Sequence, residues 1–86
     1  MNNAQEELLI ILMEECAEVA QECSKILRFG NDHDKLEKEL GDLQCIIDMM
    51  HHRDMVSFNN IFDAADAKYH KLKDFSTYLF PNSNEE

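Results

Sequence analysis

Apolar residues recur along this chain at helical rather than strand spacing, in three runs separated by short polar breaks. In the first run Leu8, Leu12, Val19, Cys23 and Ile26 share one face. The pattern predicts a helix from about Ala4 to Arg28, closed by Gly30 at a left-handed C-cap. Lys25 and Arg28 in its last turns suit the negative end of the helix dipole. Asn31 to Asp34 forms the connection, and Asp34 followed by Glu37 reads as a capping-box variant opening a second helix. That helix carries Leu36, Leu40, Leu43, Ile47 and Met50 and runs to about His52. Gly41 inside it costs about 1 kcal/mol relative to alanine, so a close neighbour is expected there: backbone, ligand or another helix. Arg53 to Ser57 is a second loop, with Ser57 as the next N-cap. The third helix carries Phe58, Ile61, Phe62, Ala65, Tyr69, Leu72 and Phe75, fades by Leu79 and ends at Phe80-Pro81. Short loops make consecutive helices antiparallel. The expected fold is all-α, a small antiparallel bundle of three main helices, with one domain over residues 1–80 and a polar tail over 81–86. Asn82 to Glu86 is expected to be disordered.

Composition adds constraints. A chain of 86 residues buries only about 60–65% of its unfolded surface, so completion of the bundle by oligomerisation is expected. Two glycines, one proline and few β-branched runs argue against a sheet. The net charge of −10 excludes a nucleic-acid backbone as a default partner, there being no basic patch, and opposes an anionic membrane surface. A polyanionic ligand would need something positive to bridge it. Cys16, Cys23 and Cys45 show no C-x-x-C pairing and are expected to be reduced, buried thiols in a cytoplasm. The longest apolar run, Leu8 to Met13, is too short to span a bilayer, and the N-terminus lacks the basic start of a secretion signal.

Five acids carry the chemistry. They stand as Glu14-Glu15-x-x-Glu18 and Glu39-x-x-Asp42, and residues three apart share a helix face. Glu15 falls inside the first apolar stripe and Glu39 inside the second, where an ionised carboxylate is costly without a compensating cation. No lysine or arginine occupies either stripe at that level. A single acidic pair on a helix is ordinary solvated decoration; two pairs on neighbouring antiparallel helices, each reaching into a stripe, point to a metal. Carboxylates without histidine or thiolate suit Mg²⁺, or Mn²⁺ as its substitute, rather than Zn²⁺. A di-iron bundle would need Glu-x-x-His. His51 and His52 lie beyond the cluster, at the exposed helix end, and Asn31 to Asp34 lacks the glycine and terminal glutamate of a calcium loop.

The segment LLIILMEECAEVAQECSKILRFG followed by KLEKELGDLQCIIDMM resembles the MazG-like all-α nucleoside triphosphate pyrophosphatases, whose signature is E-E-x-x-E, a spacer and E-x-x-D. The spacer between Glu18 and Glu39 is twenty residues. Dimeric dUTPases and phosphoribosyl-ATP pyrophosphohydrolases share this core. The resemblance implies a homo-oligomer, a dimer or dimer of dimers, that cleaves a (d)NTP to (d)NMP and pyrophosphate with Mg²⁺. It implies Glu15, Glu18, Glu39 and Asp42 as metal ligands, with Glu14 assisting from outside the ligand set. Members usually have another helix before the E-E-x-x-E helix, whereas few residues precede Leu8 here. Lys68 and Lys71, in A-x-A-K-x-x-K, match the basic positions of the last helix only loosely.

Such a site works by neutralising phosphate charge and activating a water for attack at the α-phosphorus, with Glu18 or Glu14 accepting the proton. Lys25, Arg28, Lys68 and Lys71 are the candidate substrate contacts, each weighed against dipole, salt-bridge or solvent duty; Lys73 belongs to the same solvated face. Glu22 continues the Glu15–Glu18 ridge as a supporting or lysine-pairing group. Phe29, Phe62 and Tyr69 could stack on a base, but their spacing favours a core. The rival readings are a non-enzymatic acidic interaction module and a hydrolase of phosphoribosyl-ATP or nucleoside diphosphates on the same scaffold.

Overall fold

The computed structural model describes residues 1–81 and is all-α. Its helices are α1 (Asn3–Phe29), α2 (Asp34–His52) and α3 (Phe58–Phe75). The chain forms two compact units, Met1–Met55 with α1 and α2, and a second that begins at Val56 and holds α3. The polar tail expected at Asn82 to Glu86 lies outside the described residues.

A capping box opens α1. The Asn2 side chain accepts from the Gln5 backbone N–H at 2.8 Å, and the Gln5 side chain accepts from the Asn2 N–H at 3.0 Å. Gly30 closes the helix at φ 68°, its N–H donating to the Ile26 carbonyl at 2.9 Å, a conformation that only glycine adopts without strain. The box expected from Asp34 and Glu37 does not form. His33 is the N-cap and makes no side-chain cap bond; instead Asp32 Oδ1 accepts from the Asp34 N–H at 3.2 Å. With that acceptor two residues upstream, Asp34 already lies inside the helix, and Asp34 and Glu37 become first-turn acids that suit the dipole.

At the other end of α2, Asp54 turns the chain at φ 59°, donating to the His51 carbonyl, while the Met55 N–H reaches the Met50 carbonyl at 2.9 Å. Aspartate tolerates this left-handed position better than most residues. Ser57 caps α3 as expected, accepting from the Asn60 N–H at 3.4 Å. That helix stops at Phe75, short of Leu79, because Ser76 turns extended and its Oγ accepts from the Leu79 N–H at 2.9 Å.

The first unit owes its packing to α1 against α2. Leu8, Ile46 and Met50 are buried between them, with Leu12, Val19, Ile26, Leu36, Leu43 and Ile47 half-buried along the seam. The three cysteines are exposed rather than buried. Cys16 follows Glu15, Cys23 follows Glu22 and Cys45 precedes Ile46, so each is rotated by about 100° from a seam position. Gly41 is exposed too, and a methyl group built on it would meet nothing within 4 Å; no described residue is the close neighbour expected there. In the second unit no residue of α3 is buried. Phe58 and Phe62 stack at 5.8 Å and Tyr69 meets Phe80 edge-on at 5.2 Å, but Phe62 and Tyr69, like Phe29 on α1, are exposed rather than core.

Candidate metal centre

The α1–α2 hairpin sets its acids in rungs. As α1 advances from Glu15 to Glu18, α2 recedes from Asp42 to Glu39, the register of an antiparallel pair. One carboxylate oxygen from each of Glu15, Glu39 and Asp42 lies within 4.8 Å of the other two. Glu18 brings its carboxyl within hydrogen-bond reach of Glu39. Three of the four expected ligands therefore converge, and the fourth adjoins them. Glu14, one residue and about 100° round the helix, is exposed.

Glu39 is 8% exposed and is the only buried charged residue among those described. Glu15 Oε2 and Glu39 Oε2 are shielded from water and have no hydrogen-bond partner among the described residues. Burial, first of all, raises both carboxyls above the ordinary glutamate range. For Glu39 the next causes are the hydrogen bond and charge of Glu18; for Glu15 they are the charges of Asp42 and Glu39. Two orphaned buried oxygens in an all-oxygen donor set are what a hard divalent cation satisfies. The residues fit such an ion.

Lys38 is the residue that the stripe pattern missed. It lies beside the seam rather than in it, yet its Nζ reaches Asp42 Oδ2 at 2.9 Å and Glu39 Oε1 at 3.6 Å. The hydrogen bond and charge of Asp42 raise its own affinity for a proton, with the Glu39 charge adding to them. The Lys38–Asp42 spacing of four residues is the sequence signal that would have found it. Its side chain is 68% exposed, so it can leave the carboxylates without breaking any packing.

The candidate substrate contacts are dispersed. Lys25 pairs with Glu22 at 3.4 Å, and the Arg28 guanidinium lies 4.8 Å from the centre of the Phe29 ring. Lys68 and Lys71 are exposed on α3, in the second unit. His51 and His52 stand at the end of α2, ring against ring at 5.9 Å.

A family model for the MazG nucleotide pyrophosphohydrolase domain matches residues 3–74, from the first residue of α1 to the last turn of α3. The chain belongs to this family. The MazG match contains both halves of the acidic frame, and the family is one of nucleotide-hydrolysing enzymes that depend on a divalent metal. Searches of curated proteins and of solved structures find no match. No helix of this MazG domain, among the described residues, is long and apolar enough to cross a membrane.

Proposed function

We propose that the chain is a Mg²⁺-dependent pyrophosphohydrolase, with Mn²⁺ able to substitute, that converts a nucleoside or deoxynucleoside triphosphate to its monophosphate and pyrophosphate. The observation that carries this reading is the convergence of Glu15, Glu39 and Asp42 within 4.8 Å, with two buried oxygens lacking partners among the described residues, inside the segment that matches the family model. Glu15, Glu18, Glu39 and Asp42 hold the metal. A divalent cation bound there neutralises phosphate charge and makes a water more acidic.

The chain's own residues do the rest. The seam fixes Glu15 and Glu39 by burial, so the ligands are set before substrate arrives. Water attacks the α-phosphorus, the bond from that phosphorus to the bridging oxygen breaks, and pyrophosphate leaves with that oxygen. Glu18, within hydrogen-bond reach of Glu39 at the edge of the ligand set it belongs to, is the better placed acceptor for the water's proton; Glu14 is the alternative, from its exposed position. Lys38, which reaches Asp42 and Glu39 from an exposed position, would be available to pair with a phosphate oxygen if those carboxylates held a metal. Lys25, Arg28, Lys68 and Lys71 are further candidates for phosphate contacts.

The active form is a homo-oligomer, a dimer or dimer of dimers. What supports this is a second apolar stripe on α1, Ile10, Met13, Ala17, Ala20 and Leu27, at helical spacing and exposed throughout. An assay across all common NTPs and dNTPs, with pyrophosphate and monophosphate both quantified, tests the reading. Equal yields of the two with Mg²⁺, lost on chelation, support it; orthophosphate as product, or no turnover, overturns it.

A further inference from the structure

The rungs do not stop at Glu18 and Glu39. Four residues further along α1 stands Glu22, and four back along α2 stands Lys35, so the next rung lies about 6 Å along the helices from the Glu18–Glu39 rung. Here the seam opens into a cleft of about 250 Å³ lined by Glu22, Asn31, Asp32 and Lys35. Asn31 and Asp32 come from the connection that follows Gly30. The Glu22 side chain is only 12% exposed, and its contact with Lys25 is a long 3.4 Å.

We propose that this cleft is the base subsite of the nucleotide, and that it selects bases bearing an exocyclic amino group over uracil and thymine; the inference rests on the pyrophosphohydrolase reading above. Three observations support the assignment. The cleft follows the Glu18–Glu39 rung by one helical turn, about the separation that a sugar puts between an α-phosphate and its base. Its lining carries two carboxylates against one ammonium, and Lys25 on Glu22 only balances them, which suits a neutral polar base better than the anionic end of a triphosphate. The groups are also mixed: Glu22 and Asp32 accept, Lys35 donates, and the Asn31 amide does both. An amino group meets the shielded Glu22 carboxylate as a donor, and the ring nitrogen or carbonyl beside it meets Lys35 or Asn31. Uracil and thymine present carbonyls on both sides of their single N–H, and the half-buried Glu22 carboxylate repels these.

The test compares kcat/KM for dCTP, dATP, dGTP, dTTP and dUTP in the full chain and in two variants, Glu22→Gln and Lys35→Met. The wild type should favour the amino-bearing substrates over dTTP and dUTP by about tenfold or more, as expected when a polar group is left unpaired. Glu22→Gln keeps the side chain's shape and should compress that ratio to within about threefold, chiefly by raising KM for the amino-bearing substrates. Lys35→Met should reorder the amino-bearing bases among themselves. A merely structural role for these residues would lower every substrate in proportion. An active enzyme that prefers dTTP or dUTP, or whose ranking survives both variants, overturns the subsite and leaves the pyrophosphohydrolase reading standing. Absence of pyrophosphate release from every triphosphate overturns both.

Discussion

The two apolar stripes of α1 have opposite fates. One, through Leu8, Leu12, Glu15, Val19, Glu22 and Ile26, is buried or half-buried along the seam with α2. The other, through Ile10, Met13, Ala17, Ala20 and Leu27, is exposed along its whole length. A soluble monomer would be expected to keep its acids on the open side and its seam free of charge. Here the seam holds Glu15, Glu22 and, across from them, Glu39, while the open stripe has no charge at all. The inversion is what the proposed function would require of the two stripes: a cation to balance the seam, and a second copy to cover the open face.

The largest effect should come from the seam. Glu39→Gln keeps the shape of the buried side chain but removes its charge, and kcat/KM should fall by at least about 100-fold, since even residues that merely support metal ligands cost 10- to 100-fold. The metal-free fold should survive or gain stability, because the substitution relieves repulsion among carboxylates. Circular dichroism and a thermal melt beside the assay check both halves. Near wild-type turnover at limiting Mg²⁺ would place the site elsewhere.

The open stripe makes the next largest prediction. Sedimentation at micromolar concentration should show a dimer or tetramer, and Ala17→Glu, in the middle of the exposed stripe, should shift the chain to a monomer that stays helical. An unchanged mass in that variant would move the contact to α3, whose Phe62, Tyr69 and Phe75 are exposed as well. A well-folded wild-type monomer would remove the second copy altogether.

Metal and acidity should act on the seam in opposite directions. Mg²⁺ or Mn²⁺ at about 100 times its Kd should stabilise the fold by about 2.7 kcal/mol, read as a rise in melting temperature that chelation reverses. Without metal, Glu15 and Glu39 hold their protons above the ordinary glutamate value of about 4.3. A group raised in the folded state contributes stability that is complete below its unfolded value and is lost as pH rises through its folded one. These two groups therefore make the metal-free protein more stable in mild acid than at neutrality. Metal must expel the same protons, so the gain it confers should shrink as pH falls. Glu39→Gln should flatten both dependences, and melts at several pH values with and without Mn²⁺ would show it.

Most of the fold was legible because its signals are local. Gly30, Ser57 and the helical spacing of the first two runs fixed helix limits to within a residue or two, and three residues of the frame from Glu14 to Asp42, namely Glu15, Glu39 and Asp42, converge across the seam. What escaped depended on rotation about a helix axis or on contacts outside the repeat. Cys23 was assigned to the α1 stripe, whereas Glu22 occupies the half-buried position and Cys23 is turned out; cysteine is apolar enough to imitate a core residue. Lys38 escaped because a long side chain reaches over its neighbours to Asp42. Asp32 displaced Asp34 as the acceptor at the start of α2, a choice between adjacent aspartates that spacing alone does not make.

The smallest effect concerns Gly41, between two seam residues but itself facing out. Nothing lies within 4 Å of a methyl group placed there, and its backbone is helical, so glycine's freedom serves no purpose within the chain. Gly41→Ala should then stabilise α2 by about 0.5–1 kcal/mol, the usual gain of alanine over glycine in a helix. It should leave kcat/KM unchanged, since it alters neither a carboxylate nor the cleft. If the second copy approached α2 rather than the open stripe of α1, the methyl group would press on it, and the variant would lower both the melting temperature and the oligomer's mass. A thermal melt and a sedimentation run on this one variant therefore decide which helix carries the contact: a stabilised oligomer keeps it on Ile10, Met13 and Ala17, and a weakened one moves it to Gly41 and the neighbouring exposed Leu40.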